Sequence, residues 1–320
     1  MPRTLIRKNP NNFKTLPLAV EATPEGLNYQ STGMPLNFAQ TLQRRRKIEV
    51  ADAERFSVEL ANLGVSVRLT LNWQNRDYWV LVRQRRRDRG DVVLKLISGY
   101  VPAHELNLPL HTAIQEVAEE CLIETPQGWL SGRFNDTWLP APYASALHYR
   151  EALPFRLSPL SGAARPVRCG SMTLMERPRA YVHLPTSSLQ LIYDMRLEVP
   201  KEARPMSLFH VDECLENDQL VARLNRSRPD LYLMPLENGV PKPELYTLKR
   251  DKLQPASTRG LYLAESFAPQ EGWIVRDERI RWKDWLRQQG LTPAPKKTGL
   301  KRLTSKARQL IDLARSTLSK

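Results

Sequence analysis

The chain has 320 residues, 41% of them apolar, with 25 prolines, three cysteines and a formal charge of +14. That length is enough to bury a sizeable core, in two domains or in one with large insertions. The three cysteines, Cys121, Cys169 and Cys214, lack metal-type spacing and argue against a disulfide framework, while the charge favours polyanionic partners: nucleic acid, phosphorylated small molecules or anionic lipid.

The opening MPRTLIRKNPNNF is basic but has no apolar run, so no secretory signal is expected. No window approaches the ~20 apolar residues of a membrane span, and a cytoplasmic location is the expectation. Residues 1–50 are rich in Pro and Asn and read as an extended, mostly irregular segment ending in LQRRRK. ADAERFSVELANLG (51–64) reads as a short helix, capped near Asp52 and stopped by Gly64. VSVRLTLNWQ (65–74) alternates apolar and polar, which predicts a half-buried strand with Val65, Val67, Leu69 and Leu71 on one face. Asn75-Arg76-Asp77 reads as a turn, YWVLVRQRR (78–86) as a second strand, residues 87–90 as another turn, and VVLKLISG (92–99) as a third strand.

LPLHTAIQEVAEECLIET (108–125) is the clearest helical pattern. A β-rich region with long loops follows to about residue 250, with LQLIYDMRLEV (189–199) its strongest strand. MSLFHVDECLEN (206–217) reads as a strand running into a helix, and WKDWLRQQG (282–290) as a short helix closed by Gly290. The Arg44–Lys47 and Arg83–Arg89 clusters read as solvated faces.

The chemistry lies on the helix. At 100° per residue, Leu110, Ile114, Val117 and Cys121 share one side, and Glu116, Glu119 and Glu120 share the other. Carboxylates at i, i+3 and i+4 repel one another, and a hard divalent cation relieves that repulsion best because it takes oxygen ligands. The stretch GYVPAHE…QEVAEECLI resembles the Nudix hydrolase signature, GX5EX7REUXEEXGU, with U a bulky aliphatic. Gly99 and Glu105 match its opening, and Glu116, Val117, Glu119, Glu120 and Ile123 match its end. Two extra residues lengthen the loop, which contains Pro109. Gln115 stands in place of the family's Arg, and Leu122 in place of its Gly.

The resemblance implies an α+β fold, a Nudix-like mixed sheet sandwiched by helices, with long loop insertions and added terminal segments. On that reading residues 51–250 form the Nudix-like domain, with an insertion at about 130–180, and residues 251–292 a C-terminal extension. It further implies a metal-dependent pyrophosphohydrolase cleaving a nucleoside diphosphate linked to another moiety. Glu116, Glu119 and Glu120 would bind Mg²⁺ or Mn²⁺, Glu105 would support the site, and Gly99 would let the backbone approach phosphates. The altered signature leaves a second expectation, a protein that binds a nucleotide or nucleic acid with little or no hydrolysis. His104 and His111 are candidate bases. Arg133, with Arg150 and Arg168, is a candidate for phosphate contact. Trp129, Trp138, Tyr143, Tyr149 and Phe155 are candidates for base stacking. No G-x-S-x-G or GKS-type phosphate loop is present.

Residues 293–320 read as a PAPKK linker and a basic amphipathic helix. From Lys296 to Lys320 there are eight Lys and Arg against one acid, Asp312, and Leu300, Leu303, Leu310 and Leu318 recur at helical spacing. Nucleic acid or an anionic surface is the expected partner of this helix.

Overall fold

The computed structural model describes residues 2–85, 92–217 and 219–291. The turn expected at 87–90 and the linker and basic helix expected at 293–320 lie outside the described residues.

The long strand Asn62–Trp73 organises the molecule. Val65, Val67, Leu69 and Leu71 are all fully buried, as the alternation predicts. It runs parallel to Ser188–Glu198 in unbroken register, from Asn62 beside Ser188 to Asn72 beside Glu198. It also pairs antiparallel with Arg76–Arg85 and with Ile97–Tyr100. The hairpin after Trp73 turns at Gln74 and Asn75, at φ 51° and 61°, so Trp73 faces Arg76. Two consecutive left-handed residues match the twist of the flanking strands, and Arg76 and Asp77 belong to the next strand rather than to the turn.

These pairings extend into one sheet of nineteen strands. Strands take 51% of the described residues and helix 14%, which corrects the expectation of a helix-sandwiched α+β sheet. The helices are too short to cover two faces. Among the described residues α1 (Phe38–Arg44) and α3 (Trp282–Gln288) have seven residues each, and only α2 (Pro109–Glu120), with twelve, makes three turns. Other sheets supply the cover. The five-stranded sheet containing Leu18–Thr23, Gly26–Ser31 and Phe56–Leu60 contributes Leu18, Val20, Leu27, Tyr29 and Leu60 to the same core as Val65, Leu69 and Leu191. A three-stranded sheet of Arg3–Lys8, Gln219–Leu224 and Val211–Glu216 closes a second core with Leu122, Trp129 and Phe209.

Three local expectations are corrected with the fold. Residues 1–50 are largely ordered as strands plus α1, whose N-terminus is closed by a reciprocal Asn37–Gln40 capping box. The helix expected over 51–64 is strand from Phe56, because Phe56, Val58 and Leu60 alternate and meet Ala22, Val20 and Leu18 across the sheet. Asp52 caps no helix, and its Oδ1 instead accepts the Glu54 N–H. The helix expected within 206–217 is a second strand, Val211–Glu216, held by its hairpin partner Gln219–Leu224. α2 starts with Pro109 in its first turn, where the missing N–H costs nothing, and ends at Glu120, after which Leu122–Thr125 is strand. α3 lies where expected, with Gly290 just beyond it at φ 67°.

No helix among the described residues is long and apolar enough to cross a membrane.

Leu69→Ala removes a fully buried side chain from the middle of the parallel pair. Urea unfolding should show a loss of about 2–5 kcal/mol. A loss below ~1 kcal/mol would mean that this strand is not central to the core.

Candidate functional site

α2 buries Ala113, Ile114, Val117 and Ala118, so its opposite side turns Glu116, Glu119 and Glu120 toward a cavity of about 1370 Å³. Gly99, Glu105 and Gln115 line the same cavity. The segments carrying the expected signature thus border one cavity, whereas Arg133, the expected phosphate contact, lies apart from it. That side chain donates to the Asp136 carbonyl at 2.9 Å, lies over the Trp138 ring and does not border the cavity.

Gly99 sits against Glu116, and a methyl group at this position would overlap the Glu116 carboxylate. Any larger residue at this position would push the Glu116 carboxylate to another place. Burial, reinforced by the neighbouring Glu120 and Glu119 carboxylates, pushes the Glu116 carboxyl well above its ordinary range. Glu120 accepts from Lys95 Nζ at 3.1 Å and from the Ser98 backbone N–H at 3.2 Å. Lys95 Nζ also donates to Ser98 Oγ at 3.1 Å. Burial pulls the Lys95 pKa down, but Glu120, Glu116 and Tyr100 together outweigh it, and the net shift is upward. Glu119 lies 3.5 Å from Lys8 Nζ, and Lys8 also reaches Glu213, at 3.9 Å.

Glu105 is buried and tied to the start of α2. Thr112 Oγ1 donates to its Oε2 at 2.6 Å, and His111 Nδ1 lies 2.7 Å from its Oε1. His104 Nε2 is more distant, at 3.7 Å. These contacts make Glu105 the anchor that holds the lengthened loop to the helix. Gln115 reaches only His111 Nε2, at 3.5 Å, and brings no charge to the glutamates. Lys95, two residues before the Ile97–Tyr100 strand, supplies the cation that Gln115 does not.

Sequence reasoning missed Lys8, Lys95, Glu213 and His210. His210 is buried with Nδ1 3.3 Å from the Glu120 carbonyl, and burial holds its pKa below the ordinary histidine value. Only Lys95 left a local signal, as the single charge in the apolar run VVLKLI; the others arrive through non-local pairing. The aromatics expected to stack on a base lie elsewhere. Trp129 and Tyr143 are buried in the core behind α2, Phe155 is in the main core, and Trp138 lies under Arg133. The aromatic side chains that border the cavity are Phe13, Phe38 and Tyr100.

Glu116, Glu119 and Glu120 offer carboxylate oxygens, the chemistry a hard divalent cation requires, and such a cation would relieve the repulsion that adds to burial in raising Glu116. As placed, however, no group of three or more His, Cys, Asp and Glu side chains among the described residues is positioned to hold a metal ion. Lys8 and Lys95 already stand on two of the three glutamates. A metal ion here would compete with Lys8 at Glu119, in the more exposed of the two pairs.

Comparison with models of known protein families and with curated protein sequences finds no match for this chain.

Lys95 and Glu120 are 15% and 16% exposed, so removing one partner strands a charge. Lys95→Met should cost about 3–5 kcal/mol in chemical denaturation, and Lys95→Met with Glu120→Gln should recover most of it. Additive losses would show that the pair is not coupled.

Proposed function

We propose that the chain is a metal-dependent pyrophosphohydrolase that cleaves a nucleoside diphosphate linked to another moiety. The observation that carries this reading is the convergence of Gly99, Glu116, Glu119 and Glu120 on one wall of a large cavity that also holds Arg7, Lys8 and Arg45. The resemblance of Gly99–Ile123 to the Nudix signature supports it at the level of that motif.

Glu116, Glu119 and Glu120 would hold Mg²⁺ or Mn²⁺, which supplies charge neutralisation at the diphosphate and lowers the pKa of the attacking water. The chain's own residues do the rest. Lys95 and the Ser98 N–H fix the Glu120 carboxylate from behind. Glu105 keeps the loop against the helix through Thr112 and His111. Gly99 leaves room for Glu116. Lys8, once off Glu119, is a mobile cation at the cavity wall suited to a phosphate oxygen.

Nucleoside diphosphate sugars, dinucleotides and capped RNA, each with Mg²⁺ or Mn²⁺, form the test panel. We expect turnover of at least one. Glu119→Gln/Glu120→Gln should lower it by about a hundredfold or more, since several kcal/mol of charge stabilisation goes with the metal. Equal turnover by that variant, or none by the wild-type chain, overturns the catalytic reading.

A second reading is favoured by the lysines already seated on Glu119 and Glu120: the cavity binds a nucleotide without cleaving it. It predicts a rise in melting temperature with ADP-ribose-like ligands and no product. Rapid metal-dependent hydrolysis would exclude it.

A further inference from the structure

Beyond the glutamates, the cavity runs across the polar face of the central strands. Tyr100 stands beside Gly64, Gly64 beside Gln190, Asn62 beside Ser188, and Ser188 beside His183. The floor thus spans four strands, roughly 14 Å at the usual strand spacing. That is several times the width of a phosphoryl group, so a ligand held by α2 at one side has length left to reach the other.

Arg45 stands over this floor, directly after α1. Its guanidinium lies 4.8 Å from the centre of the Tyr100 ring and donates to Asn62 Oδ1 at 3.3 Å. Unlike Lys8 and Lys95, it has no carboxylate within ion-pair distance among the described residues. Its Nε is buried with no hydrogen-bond partner, and so is Nδ2 of the fully buried Asn62 that holds it. A part-buried guanidinium with an unsatisfied N–H lacks the acceptor that normally offsets its desolvation.

A chain of neutral hydrogen-bonding groups lies alongside. His183 Nδ1 is 2.7 Å from Thr186 Oγ1, which is 2.9 Å from Ser188 Oγ, which in turn accepts from Gln190 Nε2 at 3.1 Å. His183 and Ser188 are buried, and all four border the cavity. Burial holds His183 below the ordinary histidine pKa; Arg45 acts in the same direction, while Glu265 and Glu278 oppose it. The imidazole is therefore a neutral hydrogen-bonding group beside a fixed cation.

We infer that Arg45, held by Tyr100 and Asn62, is an anion subsite that takes a phosphoryl group of a small-molecule ligand, with the Thr186–Ser188–Gln190 chain receiving the polar groups next to it. A guanidinium fork matches the tetrahedral oxyanion in geometry and charge. The corner between Phe38 of α1, Tyr100 and the sheet floor has the dimensions of a free metabolite. This rests on the hydrolase reading only in taking the cavity as a ligand site. It adds that the ligand carries an anionic group beyond the one held at α2.

The test uses the full chain in EDTA, with inorganic phosphate as probe and acetate as the carboxylate control, read by calorimetry and by melting temperature. Phosphate should bind the wild-type chain, and the Glu119→Gln/Glu120→Gln variant, in which Lys8 and Lys95 lose their carboxylates, should keep the same loss of affinity on changing Arg45. Arg45→Gln should weaken it about tenfold or more. Arg45→Lys, which keeps the charge and loses the fork, should fall between. Unchanged phosphate affinity in both Arg45 variants overturns the assignment, as does acetate binding as tightly as phosphate. Phosphate binding through Arg45 in a chain that turns over nothing would sink the hydrolase reading and leave this one standing. Glu119-dependent turnover with phosphate binding indifferent to Arg45 would do the reverse.

Discussion

The parallel pairing of Asn62–Trp73 with Ser188–Glu198 is the constraint from which the rest follows. Parallel neighbours cannot be joined by a tight turn, so the chain from residue 74 to 187 must make a long excursion, much of it as further strands of the same sheet, before Ser188 comes back beside Asn62. That excursion contains Gly99, Glu105 and all of α2. Its departure places the Ile97–Tyr100 strand beside one edge of Asn62–Trp73, and its return lays Ser188 and Gln190 along the other. One face of these strands is Val65, Val67, Leu189 and Leu191, and drives burial. The other is Ser66, Ser188 and Gln190, with Gly64 beneath the Gln190 side chain, and becomes the floor of a cavity. The same alternation that builds the core therefore builds the site.

Charge decides what that site can hold. Three carboxylates on one side of a twelve-residue helix destabilise it unless counter-charge is near. The fold supplies two ammonium groups from strands distant in sequence, Lys8 and Lys95, and one backbone N–H from Ser98. Lys95 is enclosed and fixed by several bonds, so it behaves as a permanent part of the wall. Lys8 is half-exposed, shared between Glu119 and Glu213, and therefore weakly held. An incoming cation meets strong competition at one glutamate and weak competition at another.

The sequence made the helix, the central strand and the glutamate face legible because each depends on a local period. Leu110 to Cys121 repeats at helical spacing, and Val65 to Leu71 at strand spacing. The N-terminal strands carried the same kind of signal, in Leu18, Val20 and Ala22 and in Leu27 and Tyr29, but Pro and Asn around them masked it. Phe56–Leu60 and Val211–Glu216 were harder, since both are short and charged enough to suit a helix; only distant partners hold them extended. The fold class went wrong for a related reason. A motif on one helix says how that helix meets its strand, not what covers the remaining sheet. Here strands cover it. Within the site, the carboxylates were readable from spacing, whereas Lys8, Glu213 and the Arg45–Asn62 contact exist only once remote segments pair.

The position of Lys8 has one more consequence. It closes the strand Arg3–Lys8, an edge strand whose only sheet neighbour among the described residues is Gln219–Leu224. Its ammonium group is that strand's direct electrostatic hold on α2. Whatever draws Glu119 away from Lys8 therefore also loosens the strand, and by thermodynamic linkage whatever loosens the strand makes Glu119 easier to reach. A change at Glu119 and the amide-hydrogen protection near Lys8 are coupled through this one part-exposed pair, so the edge of the molecule senses the state of its centre.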